Sequence, residues 1–410
     1  MLNIEKKGGI HIQQKNLVLF LATLNVLACL GFARFSLGAT LPFMGEALHF
    51  SYQQMGLVAS ATFFGYLVSA MFVGYAVNAF SFRKVIITSL VLISIGMVGN
   101  YVVDYFISAY ISCLFIGIGS GGANIATLNF VNQLFDKQTR GKALGIVNSG
   151  SGIGMVISGI LIHLLIAPFP EYGWRMSYLV MFCFVLSVAV LNSFFLEESA
   201  HGRQMKRKEQ QSSIYRNKFV WLIGIIYFTW GFSYMFFSTF FVDYLIKDVH
   251  VSEKMAAYYF ASAGVASIFS GFIWGGLSGR IGRWITLFFI FFIQASILLM
   301  MFFVTDHAIF LYVETIGYAL TLWGVPTVLI AAIGDVMSEW QASIVTGFVT
   351  LLLGIGQWVS PIVLGWVLNV YENYGLVIVL SSLVCYIGAT GCFYLYMHDK
   401  KRSSIFCGHQ

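Results

Sequence analysis

The sequence is short of charge. Only 10% of its 410 residues are Asp, Glu, Lys or Arg, while 59% are hydrophobic; an ordinary soluble domain is about 25% charged. A chain in water cannot hide that much apolar surface, and a mean hydropathy of +0.82 makes lipid the solvent for most of it. A soluble enzyme, a nucleic-acid binder and a disordered scaffold are excluded together. The net charge of +6 is no nucleic-acid footprint, because the basic residues sit in short loops between apolar runs. Cysteine supplies no framework either. Cys29, Cys113, Cys183, Cys385 and Cys392 lie inside apolar stretches and Cys407 near the end, with no C-x-x-C spacing, so neither a metal nor a cofactor is expected. No N-x-S/T sequon occurs, which fits a bacterial rather than a eukaryotic surface protein. No HExxH, GxSxG or acid–histidine cluster is present, so no enzyme is expected. The glycine run Gly117-Ile-Gly119-Ser-Gly121-Gly122 follows no strand and lacks a Lys, which excludes a phosphate loop and with it ATP as a driver.

What the sequence does have is long apolar runs. A membrane span needs about 20 mostly apolar residues, and twelve stretches qualify: 17–41, 54–77, 85–103, 107–134, 143–166, 176–196, 219–241, 256–277, 284–304, 308–333, 344–370 and 376–397. The first is too long for a signal-peptide core and is expected to be a span. Residues 197–218 are polar, rich in Lys, Arg, Gln and Ser, and fall at the middle of the chain. The expected organisation is therefore an all-α integral membrane protein. It has a six-helix half over 1–196, a linker at 197–218, a second half over 219–397 and a tail at 398–410. With the N-terminus placed inside, 19 of the 23 Lys and Arg residues fall on the cytoplasmic side. Arg175, Lys247 and Lys254 fall outside and Arg34 within a span. This asymmetry puts both termini in the cytoplasm.

The halves repeat. Gly74, Asn78, Arg83 and Lys84 follow the second span, and Gly275, Arg280, Gly282 and Arg283 follow the eighth. A second pair joins Gly150-Ser-Gly152-Ile-Gly154 to Gly354-Ile-Gly356-Gln357. Duplicated six-helix halves place a transporter's binding site at their interface near mid-membrane. In these features the chain resembles the Major Facilitator Superfamily over its whole length, through the loop motif G-x-x-x-D-R-x-G-R-R and its copy. The resemblance implies the twelve-helix fold, in two pseudo-symmetric halves, and makes the two loops cytoplasmic gating elements. The acidic residue that latches this loop in the family is replaced by Asn78 and Gly279, so a weakened latch is expected. The family's early fourth-span Arg is Cys113 here, and Met155 replaces the proline of the antiporter motif at Gly150 and Gly154. Proton-driven drug antiport therefore does not carry over from the resemblance.

Charges in hydrocarbon cost about 2.5–3.5 kcal/mol on insertion scales. Arg34 and Glu314 are two such charges, roughly 8 and 10 Å from mid-plane on the same side by helical rise. The family's first and tenth helices line the central cavity, so the pair is expected to face it. Arg34 has two readings: a side chain snorkelling to the headgroups or binding carbonyls near Pro42, or a fork for an anionic substrate. Glu314 is either a structural salt bridge or cap near the helix start, or a proton site. Asp243, at the outer end of the seventh span, is an alternative proton site or, on the reading preferred here, an interfacial residue. Tyr227, Trp230 and Tyr234 share one face of the seventh span, and with Tyr318, Trp323, Gln357 and Trp358 they form a candidate polar-aromatic wall for substrate. Asn25 and Asn124 are further candidates, against the alternative that buried amides tie helices together. The function expected is a bacterial inner-membrane secondary transporter, working as a monomer. It moves a small organic solute with an anionic group by alternating access, with protons as the coupling ion. An exporter of amphipathic compounds with little charge recognition is the alternative.

The charge asymmetry predicts a labelling pattern. In intact cells, a membrane-impermeant thiol reagent should modify a single cysteine introduced at Lys254 and spare one introduced at Arg207. The reverse pattern overturns the orientation.

Overall fold

The structure, a computed structural model, describes residues 12–135, 139–166, 169, 171–196, 216–303 and 308–407. Among them every regular element is helical. A bilayer core has no water for backbone N–H and C=O groups, so a spanning segment satisfies them within itself. Twelve helices are long and apolar enough to cross: α1 (Lys15–Ala47), α2 (Tyr52–Phe80), α3 (Phe82–Tyr101), α4 (Phe106–Leu134), α5 (Arg140–Ile166), α6 (Gly173–Phe195), α7 (Lys218–Lys247), α8 (Glu253–Ile281), α9 (Arg283–Phe303), α10 (Ile309–Val336), α11 (Ile344–Tyr371) and α12 (Tyr374–Asp399). Polar residues mark their starts. Ser51 and Gln54 form a capping box on α2, and Ser252 caps α8. Asn217 caps α7 through the Phe219 N–H. Each supplies an oxygen to a backbone donor that has no partner within the helix. Of the expected linker, 197–215 lie outside the described residues. The expected tail is in part helix, because the last helix runs on to Cys407. Lys and Arg form helix well.

Two apolar cores form, one per half. The first-half core is built on residues such as Leu27, Ile93, Trp174 and Val185. The second-half core reaches across to take in Phe35, Ala39, Phe63 and Met155. Each half is thus a packing unit of its own, joined to the other along a seam. The glycine run of α4 serves this packing: a Cβ at Gly117 or Gly121 would strike the α2 backbone, and one at Gly119 the α3 backbone. Small residues admit such close approach between helices in lipid.

The first helix of each half departs from α geometry. Leu27–Phe35 of α1 and Phe236–Phe240 of α7 are π-helical. A π turn holds an extra residue and re-aims the side chains beyond it, and such bulges gather at functional sites.

The turns that follow α2 and α8 match in detail. Ser81 has φ 101° and ψ 157°, and Gly282 has φ 101° and ψ 152°. This region is open essentially to glycine alone, so the first-half turn is strained at Ser81, whose buried hydroxyl also lacks a partner. Ser81→Gly should therefore raise stability by about 1–3 kcal/mol, and Gly282→Ser should lower it by a similar amount, both read from the melting temperature of the purified protein. A fall on Ser81→Gly would refute the strain.

Candidate functional site

Arg34 lies in the π-helical stretch of α1, all of whose residues are buried, and its side chain reaches the seam. It is 8% exposed, so it does not snorkel. Its guanidinium faces the Phe63 ring at 4.7 Å and the Tyr66 ring at 5.3 Å, both on α2; a cation is attracted to such faces. Its one hydrogen bond among the described residues crosses to the other half, where Nη2 donates to the Tyr234 hydroxyl at 2.7 Å. Gln357 on α11 donates Nε2 to the same oxygen at 2.9 Å. Asn124 on α4 donates Nδ2 to the Tyr66 hydroxyl at 2.9 Å. One connected cluster thus draws on α1, α2, α4, α7 and α11. Several of its polar atoms have no partner: Arg34 Nε, Asn124 Oδ1 and Trp230 Nε1 are all buried and unpaired.

The residues of the candidate aromatic wall divide into separate contacts. Tyr227 stacks on Trp230 at 5.7 Å and Trp230 on Tyr234 at 4.8 Å, so these three form one column ending at the Arg34 contact. Trp323 sits in a break between the two helical parts of α10. Pro326 cannot donate to the Leu322 carbonyl, which opens the helix, and the Trp323 N–H turns to the Ser270 hydroxyl at 2.9 Å. Its ring meets Phe35 of the first half at 5.9 Å. Trp358 packs on Phe64, also across the seam. Tyr318 stacks on Phe237 in the second-half core, its hydroxyl unpaired.

Three expectations are corrected. Asn25 does not reach the cluster. It exchanges amide hydrogen bonds with Asn192 of α6, at 2.7 and 3.2 Å, and so ties helices together within the first half. Glu314 does not pair with Arg34. Both its carboxylate oxygens are buried and without a hydrogen-bond partner, and it lies near Tyr244 of its own half. Asp243, near the end of α7, is fully buried in the protein rather than open to an interface. It accepts from the Tyr374 hydroxyl and lies 3.3 Å from the Lys247 ammonium. Tyr374 also bonds to the Tyr52 hydroxyl of α2 at 3.2 Å, and Lys247 lies over the Tyr52 ring. Four side chains therefore clamp α2 of one half to α7 and α12 of the other.

That clamp stands at one end of the seam. We call the side where α1 begins the near face and the other the far face. At the far face a Cβ on Gly56 of α2 would strike the α11 backbone at Pro361, and one on Gly159 of α5 would lie 2.9 Å from the Ala257 carbonyl of α8. Toward the near face, a Cβ on Gly141 or Gly145 of α5, Gly276 or Gly279 of α8, or Gly347 of α11 would meet nothing within 4 Å. Backbone of one half thus meets backbone of the other at the far face, while these near-face glycines have open space around them. The two repeated loops lie at the near face. Gly74 has open space around it, and Asn78 and Arg280 are exposed. Gly275 lies against Thr327. Arg83, next to Lys84 in its loop, donates to the Ser193 carbonyl near the end of α6. Arg283 pairs with Asp335 at 2.8 Å and with Ser278. An acid missing from the second loop is thus supplied by α10, which short-range motif reading passes over. Sequence reading also missed Phe63, Tyr66, Tyr52 and Tyr374. The i, i+3 spacing of Phe63 and Tyr66 within a span was the available signal.

The family model described as Major Facilitator Superfamily matches residues 23–328, and the chain belongs to that family. It is similar to a hexuronate transporter of Bacillus subtilis (strain 168), 23% identical over 248 residues, covering 58% of each chain. The match thus spans little more than half of that relative. It is also similar to a probable sulfoacetate transporter, SauU, of Cupriavidus necator, 22% identical and covering 88% of this chain and 89% of that one. Among solved structures, a bacterial homologue of the human lysosomal transporter Spinster, inward-facing and unoccupied, superposes with a TM-score of 0.79 at 16% identity. That match covers 94% of this chain and 97% of the other, and shows the fold alone. The protein is thus an integral, multi-pass membrane protein of a family of secondary transporters.

The far-face clamp predicts an energetic coupling. Tyr374→Phe leaves a buried carboxylate oxygen without its donor and should cost about 1–3 kcal/mol in unfolding of the purified protein. Tyr52→Phe should cost less, and the double variant should be non-additive. Additive, near-neutral effects would mean that the clamp does not hold the seal.

Proposed function

We propose that this transporter carries a small organic solute with an anionic group, bound on Arg34, by alternating access with protons as the coupling ion. The observation that carries this is the state of Arg34: a cation at the seam, shielded by two rings, with one neutral hydrogen bond and no carboxylate partner among the described residues. Keeping an ion out of water costs several kcal/mol after relaxation. An anion arriving in the plane of the guanidinium recovers part of that through charge-assisted bonds. The rings cover the face of the fork and leave its edge for the solute. The names of the two relatives, for hexuronate and sulfoacetate, are those of anions. The Tyr227–Trp230–Tyr234 column suits an apolar or planar body beside the charge.

Glu314 is the proposed proton site. A carboxyl group out of water and without partners is costly when charged and much less so when neutral. That suits a group which takes up a proton in one conformation and releases it in another. The Lys and Arg count supports a cytoplasmic near face, and on that reading this conformation is open inward. Both halves of the site come from one chain, and a monomer suffices.

Melting temperatures of the purified protein with D-glucuronate and with sulfoacetate test the anion reading, since a ligand raises apparent stability by mass action. Arg34→Lys keeps the charge but loses the fork. Affinity for the stabilising anion should fall about ten- to a hundred-fold, with little change in the unliganded melt. In proteoliposomes Glu314→Gln should abolish accumulation under a pH gradient yet keep exchange. If Arg34→Lys binds as tightly as the parent, the exporter of amphipathic compounds becomes the better reading. If Glu314→Gln concentrates solute normally, proton coupling through it is wrong.

A further inference from the structure

The polar inventory around Arg34 says more than that the solute is an anion. The cluster holds one positive charge and, among the described residues, no negative one: every ion pair found lies elsewhere, at Arg175–Asp104, Lys247–Asp243 and Arg283–Asp335. A solute with two carboxylates brings one charge that nothing here neutralises, and a solute with an ammonium group brings a cation with no acid to meet it. Either leaves a desolvated charge unpaired. A single carboxylate matches the count.

The remaining unpaired groups are neutral. Asn124 is 7% exposed; one end of its amide is held by the Tyr66 hydroxyl and the other, Oδ1, is buried with no partner. Tyr66 stands against the Arg34 guanidinium, so the free end of this amide belongs to the same cluster as the cation. An unmet buried amide oxygen is costly, and water or solute must answer it. A hydroxyl both donates and accepts, so it satisfies whichever end of the amide faces it. The Trp230 indole N–H, buried and unpaired, is a second neutral donor that a hydroxyl or carboxylate oxygen can meet.

We propose that the site selects a hydroxylated monocarboxylate, with Arg34 taking the carboxylate and Asn124 reading a hydroxyl. This rests on the anion reading of Arg34 above and narrows it to a substrate class. A site built to bond a hydroxyl rejects the analogue that lacks it, because the protein's polar group is then stranded.

The test is a binding panel on the purified full-length protein, by calorimetry and by melting shift, with D-gluconate, hexanoate, D-glucarate, 2-amino-2-deoxy-D-gluconate and D-glucose. Gluconate should bind about ten-fold or more tightly than hexanoate, and more tightly than the dicarboxylate, the amino acid and the neutral sugar. Asn124→Leu should bring the gluconate-to-hexanoate ratio close to one while hexanoate affinity is kept. Tyr66→Phe, which releases the held end of the amide, should lower the ratio part-way and serves if Asn124→Leu does not fold. Equal binding of gluconate and hexanoate to the parent, or a loss of both on Asn124→Leu, overturns the hydroxyl assignment and leaves the anion reading standing. Tighter binding of glucarate overturns the single-charge assignment in the same way. Carboxylate binding that is indifferent to Arg34→Lys, or glucose binding as tightly as gluconate, overturns the anion reading itself.

Discussion

The hydrogen bond from Arg34 to the Tyr234 hydroxyl is the contact on which the rest of the site depends. It joins residues 200 positions apart and belongs to neither half alone. Tyr234 can hold this position because Gln357 bonds to the same oxygen and Trp230 stacks on its ring. Arg34 lies in the buried π-helical stretch of α1, where Phe63 and Tyr66 cover its face. The outcome is a cation held in register by neutral groups. Such an arrangement fixes position without cancelling charge.

The seam is unequal along its length. At the far face, bare backbone meets bare backbone between α2 and α11, and the Asp243–Tyr374–Tyr52–Lys247 clamp adds polar bonds in a place with little water. At the near face the matching helices leave open space. Alternating access asks that these roles be exchanged. All four clamp residues are polar or charged, so each can be met by water once the seal parts. An apolar seal of the same area would offer no such exchange.

The two halves show what duplication keeps and what it lets drift. The turns after α2 and α8 share one backbone conformation, with φ 101° in both, although one is serine and the other glycine. The geometry is preserved because α2 and α3, like α8 and α9, must turn back within a single residue. The charges around those turns have drifted. Arg283 finds Asp335 on α10, while Arg83 finds a backbone carbonyl of α6.

The sequence by itself determined the twelve spans, their division into halves and the face on which most basic residues lie. These follow from length, apolar content and loop charge, which are local and additive, and the bilayer leaves no other way to satisfy the backbone. It also marked Arg34, Glu314, Asn124, Gln357 and the Tyr227–Trp230–Tyr234 face as unusual, because each is a polar or amphipathic group where lipid is the solvent. What these groups do was decided only by tertiary structure. Asn25 and Asn124 look alike as amides within spans, yet Asn25 is used up by Asn192, 167 residues away, and Asn124 keeps a free oxygen. Arg34 and Glu314 share a depth, yet one faces the seam and the other its own half. Asp243 reads as a helix-end acid until Tyr52 and Tyr374 close over it. Depth along a helix can be counted from its residues, but its rotation about its own axis is set by the neighbours it packs against, and here a π turn in α1 adds a further shift that no regular period contains.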